Sequence, residues 1–124
     1  NLEAALAEWP THLPAVLLAH EPAVWDGAAP RNVALTLSGH THGGQIRIAG
    51  WAPIHHSRFG YERGWFTVNG CRLYVGRGVG VTVLPVRIDA TPEIPIVTLR
   101  CRAAAAPTAG GIAAQDRSSA LASS

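Results

Sequence analysis

Val33-Ala-Leu-Thr-Leu-Ser-Gly-His-Thr-His-Gly-Gly-Gln45 is the stretch on which the reading of this chain turns. Val33 to Leu37 is a continuous apolar run, short enough to be a buried strand. It runs directly into Ser38-Gly-His-Thr-His-Gly-Gly44. His40 and His42 are separated by one residue, and on an extended strand i and i+2 project to the same side. Gly39 precedes them and Gly43-Gly44 follow, so the backbone can take angles that a β-carbon would forbid. Both imidazoles are therefore expected to turn toward one small volume. Imidazole nitrogen is a common neutral ligand for borderline metals such as zinc, manganese, iron and cobalt.

Working upstream, Pro14-Ala-Val-Leu-Leu-Ala19 is a second short apolar run, with His20 at its C-terminal edge. It reads as another buried strand. Glu21 and Pro22 suit the start of a short helix over Ala23 to Ala29, which Pro30 closes. Leu2, Ala5, Leu6 and Trp9 share one helical face, and Pro10 ends that first helix. The chain thus twice reads strand and then histidine at the strand's C-terminal end. In open α/β sheets that end is where ligands are held. His20, His40 and His42 are the candidate metal ligands. His12, His55 and His56 read as structural or solvated histidines.

Downstream the pattern becomes β. Gln45 to Ile48 alternates, and Gly50 to Gly60 is a loop containing Pro53, His55 and His56. Gly64 to Val68 and Arg72 to Val75 are strand-like and joined through Asn69-Gly70, a strong hairpin signal. Gly76 to Gly80 is glycine-rich, and Ile94 to Arg100 reads as a last, edge strand with Pro95 near its start. Cys71 falls in an apolar strand pattern and reads as a small buried residue. Past Arg102 the composition drops to Ala, Gly, Ser, Thr and Pro, so 103–124 is read as a disordered tail and 1–102 as the domain.

Composition narrows the function classes. The 124 residues are 48% hydrophobic and 15% charged, enough to bury a core. The apolar runs Pro14 to Ala19 and Val79 to Val86 are too short or too interrupted to cross a bilayer. All ten basic residues are arginines, spread from Arg31 to Arg117 rather than gathered in a stripe, which argues against a nucleic-acid-binding surface. Cys71 and Cys101 make neither a CxxC pair nor a disulfide framework.

Gly39-His-Thr-His42 resembles the Gly-His-x-His metal motif of the calcineurin-like metallophosphoesterases, and His20 matches that family's preceding isolated ligand histidine. The adjoining Gly43-Gly-Gln45 resembles one bacterial branch. So do Ser57-Arg-Phe-Gly60, Leu73 to Gly80, Leu84 to Arg87 and Pro92 to Ile94. The resemblance covers roughly Ala15 to Arg100. It implies an α/β (α+β) fold, the C-terminal half of a four-layer αββα sandwich of mixed sheets. It implies a metal-dependent phosphoester hydrolase with two divalent ions, of manganese, zinc, iron or cobalt. His20 and His40 would bind one ion and His42 the other. Gly43 and Gly44 would let backbone approach a phosphate, and Arg77 or Arg58 would contact it. A phosphoester, monoester or diester, is the implied substrate, nucleic acid enters only as such a substrate, and membrane association is compatible with the family.

The family's other motifs do not occur in these residues. There is no Asp-x-His, no Gly-Asp-x-x-Asp and no Gly-Asn-His; the aspartates are Asp26, Asp89 and Asp116 alone. Two adjacent dications repel, and three neutral imidazoles lack the bridging carboxylate that offsets this. The expectation is a C-terminal fragment that lacks the N-terminal half of its domain, the proton donor included. Such a chain would hold at most one metal and be a poor catalyst. The alternative is a noncatalytic metal-binding or interaction module.

Overall fold

The computed structural model describes residues 1–53 and 60–100. Helix α1 is Leu2–Leu6, strand β1 is Val16–Leu18, helix α2 is Trp25–Ala28, and strands β2, β3 and β4 are Leu35–Ser38, Gly64–Val68 and Cys71–Val75. The strands form one mixed sheet in the order β1-β2-β4-β3. β1, β2 and β4 run parallel, and β3 closes the edge antiparallel to β4. This is the expected α/β class with few helices.

The register assigns the faces, because paired residues on neighbouring strands share a side. Thr36 pairs with Leu73, and Phe66 pairs with Leu73 from the other side. That face is the core. Leu73 and Val75 are fully buried there, and Cys71 and Val75 pack with Trp25 and Ala29 of the β1–β2 connection. Tyr61 and Phe66 close the cluster. Cys71 is a free, buried thiol, as its pattern suggests. The opposite face carries Val16, Leu18 and Trp65, all largely exposed.

The hairpin turns where expected. Asn69 and Gly70 have φ of 48° and 80°, the two left-handed residues that match the twist of the flanking strands. The helix expected over Ala23 to Ala29 forms as three short pieces: a 3₁₀ turn Pro22–Val24, α2, and a 3₁₀ turn Ala29–Arg31. Two prolines in ten residues prevent one continuous hydrogen-bond ladder.

Four expectations need correction. The first helix stops at Leu6 instead of reaching Trp9; it buries no residue, and its Asn1 cap and an exposed Glu3–Arg31 ion pair at 3.4 Å are weak supports. β1 is not a buried strand, because it lies at the sheet edge with Val16 44% and Leu18 76% exposed. Gln45 to Ile48 makes only isolated bridges, Ile46 to Ile88 and Ile48 to Trp51. No strand forms over Ile94 to Arg100, and Ile94, Ile96 and Leu99 stay exposed. Pro95 withholds the amide that a ladder there would use. His55, His56, Ser57 and Arg58 lie outside the described residues, as do Cys101 and the tail read over 103–124.

Candidate metal centre

The three parallel strands end at one edge of the sheet, and each is followed by a candidate residue. β1 leads through Ala19 into His20, β2 through Gly39 into His40, and β4 through Gly76 into Arg77. Backbone bonds carry the ladder past the strand ends: Ala19 N–H to Leu37 O at 3.0 Å, Gly39 N–H to His20 O at 3.3 Å, and Gly76 N–H to Ser38 O at 2.8 Å. The sheet therefore sets the spacing of the two histidines.

His20 and His40 meet. Nδ1 of His40 lies 3.0 Å from Nε2 of His20, with the rings edge to face and their centroids 4.7 Å apart. Two nitrogens facing each other with lone pairs repel, so without an ion one of them carries the proton. Glu21 Oε2 stands 3.5 Å from Nε2 of His40, on the other side of that ring. A carboxylate there favours a proton on Nε2 and leaves Nδ1 as the lone-pair nitrogen, the outer-shell arrangement usual for metal-bound histidine. Sequence reading treats Glu21 only as a helix-start residue; its place directly after His20 was the available signal.

His42 goes elsewhere. His40 and His42 both lie beyond the end of β2, with φ of 71° and 51°, so the i, i+2 rule for extended chain does not apply to them. The His42 ring contacts Gly80 O through Nδ1 at 3.2 Å and Thr82 Oγ1 through Nε2 at 2.9 Å. His42 is thus held at the 80–82 loop, whereas His20 and His40 meet at the strand ends. Among the described residues no three His, Cys, Asp or Glu side chains cluster closely enough to hold an ion.

The glycines and Arg77 are explained by packing. Gly43 has φ of 66°, and a β-carbon on it would lie 2.5 Å from Cγ of Arg77. A β-carbon on Gly44 would lie 2.9 Å from Cβ of Ala52. Thr41, fully buried, donates its hydroxyl to Glu62 O and accepts from Gly43 N–H. Arg47 and Glu62 pair at 2.6 Å beneath the same loop. Gly43→Ala is expected to cost about 3 kcal/mol, from left-handed strain and overpacking together. Urea denaturation of the two chains measures it.

Arg77 is ion-paired with Glu93. Its Nε donates to Glu93 Oε2 at 2.8 Å, its NH2 to the same oxygen at 2.5 Å, and its backbone N–H to Oε1 at 2.9 Å. Tyr74 donates its hydroxyl to Oε1 at 2.9 Å. The Arg77 guanidinium holds the Glu93 carboxyl down at about 2, against burial, which pushes it up. Burial and Glu93 together raise Tyr74. Because the folded value lies below the unfolded one, the pair stabilises the chain above pH 4.5, and that contribution is lost as pH falls toward 2. Glu93→Gln is expected to cost about 2 kcal/mol at neutral pH and to flatten the loss of stability between pH 4.5 and 2. Chemical denaturation across that range reads both effects.

Relatives supply the family. The chain is 40% identical over 102 residues to the uncharacterized metallophosphoesterase YkuE of Bacillus subtilis, an alignment covering 81% of this chain and 36% of that protein. It is 33% identical over 92 residues to the phosphodiesterase YaeI of Escherichia coli, covering 71% and 33%. It is 36% identical over 86 residues to an uncharacterized metallophosphoesterase of Aquifex aeolicus, covering 68% and 32%. The chain belongs to the calcineurin-like metallophosphoesterase family. It spans about a third of the length of the curated relatives it matches. No family model matches the sequence, and no solved structure does.

Metallophosphoesterases take divalent metal ions, and the donor chemistry here can be tested against one. Two nitrogens each about 2.1 Å from an ion, at a right angle, lie about 3.0 Å apart. The His20–His40 nitrogen separation is 3.0 Å. The chain therefore offers two nitrogen donors at the spacing of adjacent ligands, and an ion there would replace the shared proton.

Proposed function

We propose that this chain acts in metal-dependent phosphoester hydrolysis and supplies the histidine side of a dinuclear site. The observation that carries the reading is the His20–His40 nitrogen pair at the C-terminal edge of the parallel strands. His20 and His40 would hold one ion, and His42, through Nε2, a second. Bound divalent ions polarise phosphoryl oxygens and lower the pKa of attacking water. The residues' own part is to place those donors and to shape the surroundings: Gly43, Gly44 and Arg77 border the site, with Arg77 held in place by Glu93. YaeI is named a phosphodiesterase, which favours a phosphodiester among phosphoesters as the substrate.

The carboxylate side of such a site is not supplied by the aspartates near at hand. Asp26 accepts from the Tyr61 hydroxyl at 2.7 Å, and Asp89 lies 4.0 Å from Arg63. The exposed apolar face of the sheet, with Val16, Leu18 and Trp65, supports the four-layer sandwich, in which a second sheet would cover that face.

Elemental analysis tests the reading after equilibration with manganese and zinc and removal of free ions. One weakly held ion per chain, and not two, is expected, with hydrolysis of a generic phosphodiester weak and abolished by chelator. Metal retained with no turnover would instead favour a noncatalytic metal-binding module. No metal retained would overturn the histidine assignment.

A further inference from the structure

Gln45 is buried, with 6% of its surface exposed, and its carboxamide is fully used. Its Nε2 donates to Thr82 O at 2.8 Å and to Leu84 O at 3.0 Å, and its Oε1 accepts from Thr82 N–H at 2.7 Å. These bonds pin a loop whose other side chains face water: Val83 is 96% and Leu84 53% exposed. Only an amide fits, because the site needs two donors and one acceptor.

The pinned loop brackets His42. Thr82 Oγ1 lies 2.9 Å from Nε2, and Gly80 O lies 3.2 Å from Nδ1. Arg87 NH2 also approaches Nδ1, at 3.4 Å. However, that nitrogen already donates to Arg77 O at 2.8 Å and to Gly80 O, which takes both of its hydrogens. Gly80 O also accepts from Arg87 Nε at 2.9 Å, so it is shared between Arg87 and Nδ1. A carbonyl oxygen can only accept, and a lone pair on Nδ1 facing it would be repelled. The geometry therefore favours the proton on Nδ1, with the lone pair on Nε2 and the Thr82 hydroxyl donating to it.

We propose that Gln45 is a positioning residue for His42: its buried carboxamide holds the 80–84 loop so that the imidazole is fixed as the Nδ1–H tautomer, with Nε2 presented as the lone-pair nitrogen. The use of Nε2 as a metal ligand rests on the functional reading above, whereas the tautomer does not. In the absence of metal the Thr82 hydroxyl caps Nε2, and an ion would displace it. Setting the tautomer through the far nitrogen is the general means by which proteins orient a ligand histidine.

The test uses metal-free, full-length chain labelled with 15N in histidine, in a buffer alkaline enough for neutral imidazole. Its outcome is therefore independent of whether the protein hydrolyses anything. The His42 resonances should show Nδ1 protonated and Nε2 unprotonated. The Thr82 amide should exchange at least tenfold more slowly than in an unstructured peptide. In Gln45→Glu, whose carboxylate would face two carbonyl oxygens, the Thr82 protection should vanish. The His42 tautomer should become mixed, while far-ultraviolet circular dichroism stays native. If that variant fails to fold, Gln45→Met keeps the volume without the charge and reports the same two signals. A His42 protonated on Nε2, an unprotected Thr82 amide in the wild type, or unchanged signals in a folded variant would each overturn the proposal. So would failure of both variants to fold, which would make Gln45 a general fold residue.

Discussion

His40→Ala is expected to weaken manganese or zinc binding at least a hundredfold, the upper end of what loss of an outer-shell partner alone produces. The change removes one of two nitrogens 3.0 Å apart, and a single neutral imidazole competes poorly with water for a divalent ion. Calorimetric titration of both chains measures it, with His12→Ala, an exposed position, as the unaffected control. A second effect has to be separated. His40 sits at φ of 71°, where any β-carbon is strained. His40→Gly should therefore be about 1 kcal/mol more stable than His40→Ala and equally poor at binding metal. Should His40→Gly bind metal as the wild type does, His40 is not a ligand and its position reflects backbone geometry alone.

Leu73→Ala should be the most destabilising single change in the core, costing about 3 kcal/mol from lost burial and an unfilled cavity. Leu73 is fully buried on β4, between β2 and β3, and faces the cluster of Trp25, Ala29 and Phe66. A small domain has roughly 5–15 kcal/mol in total, so the urea midpoint should fall sharply. Leu18→Ala removes the same atoms from an edge strand where they are 76% exposed, and should stay within about 0.5 kcal/mol of wild type. Equal effects of the two substitutions would mean that the β1 face is covered in solution.

Local patterns carried much of the fold. Asn69-Gly70 between two β-prone runs gives the hairpin, since both residues accept left-handed angles at little cost. The apolar runs ending at Ala19 and Leu37 place His20 and His40 at strand ends. Only the parallel pairing of β1 with β2 then brings those ends together. Ile94 to Arg100 shows where pattern misleads: its residues suit a strand, but a strand exists only where a neighbour completes its ladder, and Pro95 removes one of the donors.

The contacts that sequence reading did not foresee act across distance. Gln45 reaches Thr82, thirty-seven positions away, and Arg77 is held by Glu93, sixteen away. Glu21 is adjacent to His20 in the chain but acts on His40. Taken alone, the sequence determined the family, the hairpin, and histidines at the ends of two strands, because each depends on residues a few positions apart. Which imidazoles meet, which tautomer each presents, and why Gly43 tolerates no β-carbon were decided by tertiary structure, because each depends on backbone and side chains that parallel strands and a distant loop bring within hydrogen-bonding range.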